Sequence, residues 1–145
     1  MSKKVELMNQ YVADLAVLNV KFHNLHWNVV GERFQPVHVY VEELYDDLFA
    51  KYDEVAERLK MLDVYPLASL KDYLAVTKVE ELENRDYQIG EVFAILKQEL
   101  EALRELSITI RAEADEEDDF GTVAMMEDHV AGFDKQLWFI VSALK

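Results

Sequence analysis

Five side chains in the first half of the chain could bind a transition metal: His26, His38, Glu42, Asp53 and Glu57. Imidazole and carboxylate suit first-row divalent metals, iron included. The successive spacings are twelve, four, eleven and four residues. Helix positions four apart are neighbours, so His38 and Glu42 can share one metal, as can Asp53 and Glu57. The gap between Glu42 and Asp53 covers roughly 16 Å of helix axis, whereas metal–ligand bonds are about 2 Å long. One helix cannot close both pairs on a single centre. An antiparallel second copy can, and a twofold dimer then holds two equivalent sites. The expected centre is His26, His38 and Glu42 from one subunit with Asp53 and Glu57 from its mate.

Long helices must carry these residues. Val5, Met8, Val12, Leu15 and Phe22 form an apolar seam over residues 5–29, widened by Leu7, Tyr11, Leu18 and Leu25, and His26 lies on it. A second helix is expected from Pro36 to Leu62, with Val37, Val41, Leu44, Leu48, Tyr52, Val55, Leu59 and Leu62 inward. On this helix Glu42, Asp53 and Glu57 fall about 40°, 60° and 100° round from His38, on one flank of the buried stripe. A turn at Tyr65-Pro66 and a short helix from Ser69 to Leu74 fill the long connection. A third helix is expected from Glu80 to Ala114, locally weakened by Gly90, and a fourth from Thr122 to Leu144 after a charged turn at Asp115 to Gly121. The whole, residues 1–145, reads as one all-α domain: a four-helix bundle with a short extra helix in the middle connection.

Composition narrows the function. The chain has no cysteine, which removes thiolate sites and disulfides, and its 4 Gly and 2 Pro favour helices. No stretch approaches the ~20 apolar residues of a membrane span. The opening MSKKVELMNQ does not read as a signal peptide, so a cytoplasmic protein is expected. A net charge of −14 repels nucleic acid phosphates. Only Lys3 and Lys4 precede the first helix, so no basic tail is expected either. No Glu-x-x-His pair occurs, which disfavours a di-metal site inside a single bundle.

HNLHW (23–27), the G-x-x-F of Gly31 to Phe34, His38, DEVAER (53–58) and DKQLWFI (134–140) resemble the Dps proteins, small ferritin-like proteins of starved and oxidatively stressed bacteria. The resemblance implies a bacterial, ferritin-like ferroxidase and iron store. Its subunits would assemble from twofold dimers into a hollow homo-dodecamer. Fe(II) would be oxidised, preferably by hydrogen peroxide, and kept inside as ferric mineral. The implied ligands are the five residues named above, binding two irons or one tightly and one weakly, with zinc as a possible surrogate. Trp27 matches a tryptophan beside the family's site that quenches radicals. Glu42 departs from the family's usual aspartate, being longer by one methylene. The family's other role is DNA compaction, which the charge here disfavours.

Other residues read as structural. His23, three residues before His26, reads as a surface histidine in preference to a group supporting the site, His129 and Trp138 as packing groups, and Met125 and Met126 as core. The acidic run Asp115, Glu116, Glu117, Asp118, Asp119, with Glu127 and Asp128, fits a solvated turn or, by the resemblance, an iron-entry pore.

Overall fold

The computed structural model describes residues 2–145. In chain order its elements are α1 (Lys3–Asn28), β1 (Val29–Val30), α2 (Phe34–Met61), α3 (Leu70–Val76), β2 (Tyr87–Gln88), α4 (Ile89–Glu116) and α5 (Phe120–Leu144). Two compact units divide them: Asn9–Val92, and the residues up to Met8 together with Phe93–Lys145. Among the described residues, no helix is long and apolar enough to cross a membrane.

In the Asn9–Val92 unit the apolar seams are buried as their periodicity requires. Val12, Leu15, Phe22 and Leu25 of α1 and Val41, Leu48, Val55 and Leu59 of α2 have no exposed surface. α2 ends where Asp63 takes a left-handed φ of 62°, and the Val64 amide returns to the Leu59 carbonyl at 2.9 Å. The chain therefore turns at Leu62–Asp63, and Tyr65-Pro66 lies in the segment beyond the turn. Ser69 caps α3, its hydroxyl accepting from the Asp72 amide at 3.2 Å.

The segment from Thr77 to Asp86 is not helical, contrary to the expectation of a helix from Glu80. Side chains of α1 hold its backbone instead. Asp14 accepts from the Thr77 hydroxyl at 2.7 Å and from the Lys78 amide at 2.9 Å. The Lys21 ammonium donates to the Glu80 carbonyl at 2.6 Å, and the Asn24 amide to the Glu83 carbonyl at 3.2 Å. Further back, Asn9 accepts from the Leu67 amide at 3.0 Å. Asn9, Asp14 and Lys21 are all buried, so each contact satisfies a polar group that would otherwise be costly. The strap then runs into β2, which pairs in parallel with β1 (Val29 with Tyr87, Val30 with Gln88). Helix α4 starts only at Ile89, so Gly90 stands in its first turn rather than within it.

In the other unit, Leu96, Leu100, Ile110, Met126 and Ile140 have no exposed surface. Lys4 reaches the α4–α5 turn, with its ammonium 2.7 Å from Glu117 and 2.8 Å from Asp119. Asp119 also caps α5 by accepting from the Thr122 amide at 3.2 Å, which starts that helix two residues earlier than Thr122. The charged turn is correspondingly short, since α4 continues to Glu116. Arg111 pairs with Glu127 at 3.2 Å and lies 3.8 Å from Asp115. His129 is buried against Phe133, as its packing role requires. Trp138 does not pack inward: it is 64% exposed, tilted against Phe139.

Candidate metal centre

His26 and His38 meet because the chain reverses sharply between α1 and α2. Gly31 has φ +133°, and a Cβ there would stand 3.1 Å from the Ile89 side chain. Only glycine adopts that conformation without strain. The Phe34 amide donates back to the Gly31 carbonyl at 3.1 Å, at the start of α2.

Across this reversal the two histidines clasp each other. His26 Nδ1 lies 2.6 Å from the His38 carbonyl, and His38 Nδ1 lies 2.6 Å from the His26 carbonyl. A carbonyl can only accept, so each Nδ1 carries the proton. In the neutral rings both Nε2 lone pairs are then left for a metal, the tautomer a liganding histidine needs. The rings stack with centroids 3.6 Å apart and planes 10° from parallel. The His26 carbonyl lies in the last turn of α1, where helix carbonyls lack an intrahelical donor. Phe34 covers the outer face of His38, with ring centroids 5.0 Å apart.

Glu42 joins this pair loosely. Its Oε1 is 3.7 Å from His26 Nε2, and the Tyr45 hydroxyl donates to the same oxygen at a long 3.5 Å. Burial, then the Glu42 and Asp46 carboxylates, push the Tyr45 phenol pKa up, which keeps it a donor. His23 is not a plain surface group. It stacks on Tyr45 at 3.8 Å and donates from Nδ1 to the Asn19 carbonyl at 2.6 Å. Of the layer behind the expected ligands, His23 reads from sequence as a surface group in preference to a supporting one, and Tyr45 escapes the sequence reading, although each stands three residues from an expected ligand. Trp27 is 67% exposed on α1, 5.5 Å from the His23 ring.

Asp53 and Glu57 lie further along α2, and both are exposed. A hydrogen bond with Asp53, then the charge of Asp53, then desolvation raise the Glu57 pKa above the usual carboxylate value. Among the described residues, no group of three or more histidine, aspartate or glutamate side chains could hold a metal ion within one subunit. The structure brings His26, His38 and Glu42 together and leaves Asp53 and Glu57 as a separate pair.

Residues 5–145 match the family described as "Ferritin-like domain". The elements fit that class: four long helices (α1, α2, α4, α5) with the short α3 in the middle connection. A DNA protection during starvation protein of Helicobacter pylori is 30% identical over 142 residues, covering 98% of this chain and 99% of that one. The crystal structure of CAIP from Helicobacter cinaedi superposes with a TM-score of 0.96 at 34% identity, over 99% of this chain and 100% of that chain. The Dps protein of Vibrio cholerae, described as one of the ferritin-like diiron-carboxylate proteins, gives 0.93 at 29% identity, over 99% of this chain and 89% of that chain. The chain belongs to the ferritin-like family, as one of its Dps proteins.

Proposed function

We propose that residues 1–145 form one ferritin-like domain that oxidises Fe(II) with hydrogen peroxide at a centre shared by two subunits. Iron is the substrate. His26, His38 and Glu42 of one subunit would receive it together with Asp53 and Glu57 of the other, with two irons bound, or one tightly and one weakly. The observation that carries this reading is the reciprocal clasp, which orients two imidazoles for a metal while one subunit supplies too few ligands to hold it. Glu42 is exposed and loosely held, so its longer side chain has room to swing onto the metal. Peroxide takes one electron from each of two Fe(II) ions, which avoids hydroxyl radical, and Trp27, 5.5 Å from the His23 ring, would intercept a stray oxidant. The ferric product would be stored inside a homo-dodecamer built from twofold dimers, protecting a bacterial cytoplasm from oxidative stress.

The decisive experiment loads the protein anaerobically with Fe(II), adds peroxide and follows iron oxidation in the native chain and in Asp53→Ala/Glu57→Ala. Equal rates refute the site. Zinc, which binds without redox change, should compete with iron there. Light scattering tests the assembly, and a stable monomer refutes a shared centre.

DNA compaction is the second reading, and the net charge of −14 opposes it. No retention of DNA is expected in a gel shift at ~150 mM salt, where screening is physiological.

A further inference from the structure

Tyr52 directly precedes Asp53 on α2, with the two Cα atoms about 3.8 Å apart. Its hydroxyl is 2.6 Å from the hydroxyl of Tyr73 on α3. The two rings are nearly perpendicular, at 79°, with centroids 5.9 Å apart. Tyr73 is 6% exposed, Tyr52 is half-buried, and Phe49 stacks on the Tyr52 ring at 5.6 Å. Two phenols are thus held hydroxyl to hydroxyl, one buried and one half-buried, one residue along α2 from a carboxylate of the candidate centre. Hydrogen-bonding alone would make them a tether for α3. Their position makes them something more, because phenol is among the most easily oxidised side chains and the adjacent site handles peroxide.

We propose that Tyr52 and Tyr73 are an oxidisable pair that peroxide converts into a covalent link between α2 and α3 when too little Fe(II) is present to supply both electrons. This rests on the iron-and-peroxide reading of the neighbouring carboxylates. Each phenol gives up one hydrogen atom, as an electron and a proton. Peroxide accepts both and becomes two waters. The two phenoxyl radicals join at ring carbons ortho to oxygen, and the two ring protons displaced there return to the oxygens. The net change is the loss of two hydrogens from the protein and the formation of one carbon–carbon bond. The hydroxyls are already in contact at 2.6 Å, and coupling requires the rings to turn from their 79° crossing so that the ortho carbons meet.

The experiment adds peroxide to the assembled protein loaded with less than one Fe(II) per site. It reads iron oxidation, dityrosine fluorescence, intact mass and the peptides released by proteolysis. The native protein should lose two hydrogens per linked chain and yield a peptide joining residues 52 and 73. In Tyr52→Phe and in Tyr73→Phe that peptide should vanish while iron oxidation persists. In Asp53→Ala/Glu57→Ala its yield should fall to the iron-free background. Iron oxidation without any 52–73 link overturns the pair and leaves the iron reading standing. A link between chains rather than within one, or an undiminished link in the carboxylate variant, also overturns it. Absence of iron oxidation in the native protein overturns both.

Discussion

Carboxylates are put to opposite uses in two regions of this chain. At the α4–α5 turn, Glu117 and Asp119 hold the Lys4 ammonium at 2.7 and 2.8 Å, and a little further on Glu127 holds Arg111 at 3.2 Å. On α2, Asp53 stands one turn from Glu57, and its nearness raises the Glu57 pKa. The first arrangement is electrostatically complete and serves stability. The second is repulsive once both groups ionise, and such a pair keeps an affinity for an added cation. An acidic residue therefore signals a site less by its charge than by the absence of a basic neighbour. The acidic run at Asp115 to Asp119, open at the sequence level to a pore reading, has two of its members occupied with Lys4 and so belongs in part to the structural class.

The sharpest way to break the comparison is to remove the unbalanced pair. Loss of a residue behind a metal ligand typically costs about 10–100-fold in affinity or activity. Asp53→Ala/Glu57→Ala should exceed that range in iron oxidation, measured by stopped flow, while leaving the melting temperature unchanged or higher. His23→Ala removes only the stack on Tyr45, so a loss of about 10-fold, the lower end of that same range, is expected. Lys4→Met should do the reverse. Hydrogen bonds to charged groups contribute about 1.5–3 kcal/mol. Chemical denaturation should show a loss of that order with no change in iron oxidation per assembled site. Arg111→Gln opens only an exposed pair, and less than about 1 kcal/mol should be lost.

Acidity sharpens the contrast further. Metal competes with the proton that Glu57 binds beside Asp53, so zinc affinity in a competition titration should weaken as pH falls. It should begin to do so above the ordinary glutamate value of 4.5, because the Glu57 pKa is raised. In metal-free protein the folded chain holds that proton more tightly than the unfolded one. Stability from this pair is therefore lost as pH rises through the raised value. For Lys4, burial lowers the pKa, but Asp119 and Glu117 outweigh it and the net shift is upward from 10.5. Its contribution is complete below 10.5 and is lost as pH rises through the raised value.

Local pattern revealed most of the helices. The apolar seams of α1 and α2 and the four-residue ligand steps are properties of single helices, and periodicity reports those directly. The strap from Thr77 to Asp86 failed for a non-local reason. Val79 and Leu82 have helical spacing, but Asp14, Lys21 and Asn24 on α1 capture the strap's backbone groups. Nothing within residues 77–86 announces that capture. The two-residue strands depend on the same docking. In the candidate site, the metal-binding types and their rhythm could be read from the chain, and helix length alone separated them into two halves. The clasp could not, because the acceptors of His26 and His38 are main-chain carbonyls, which every residue has.

That clasp ties site to scaffold. His38 supplies a donor to a carbonyl in the last turn of α1, and His26 donates to a carbonyl early in α2, so the pair pins the end of one helix to the start of the next. Replacing His38 removes a candidate ligand and also leaves a carbonyl at the end of α1 without its donor, so selection on folding would retain His38 even in an environment where iron is scarce. Its loss in a descendant would mark a subunit that had first found another way to finish α1.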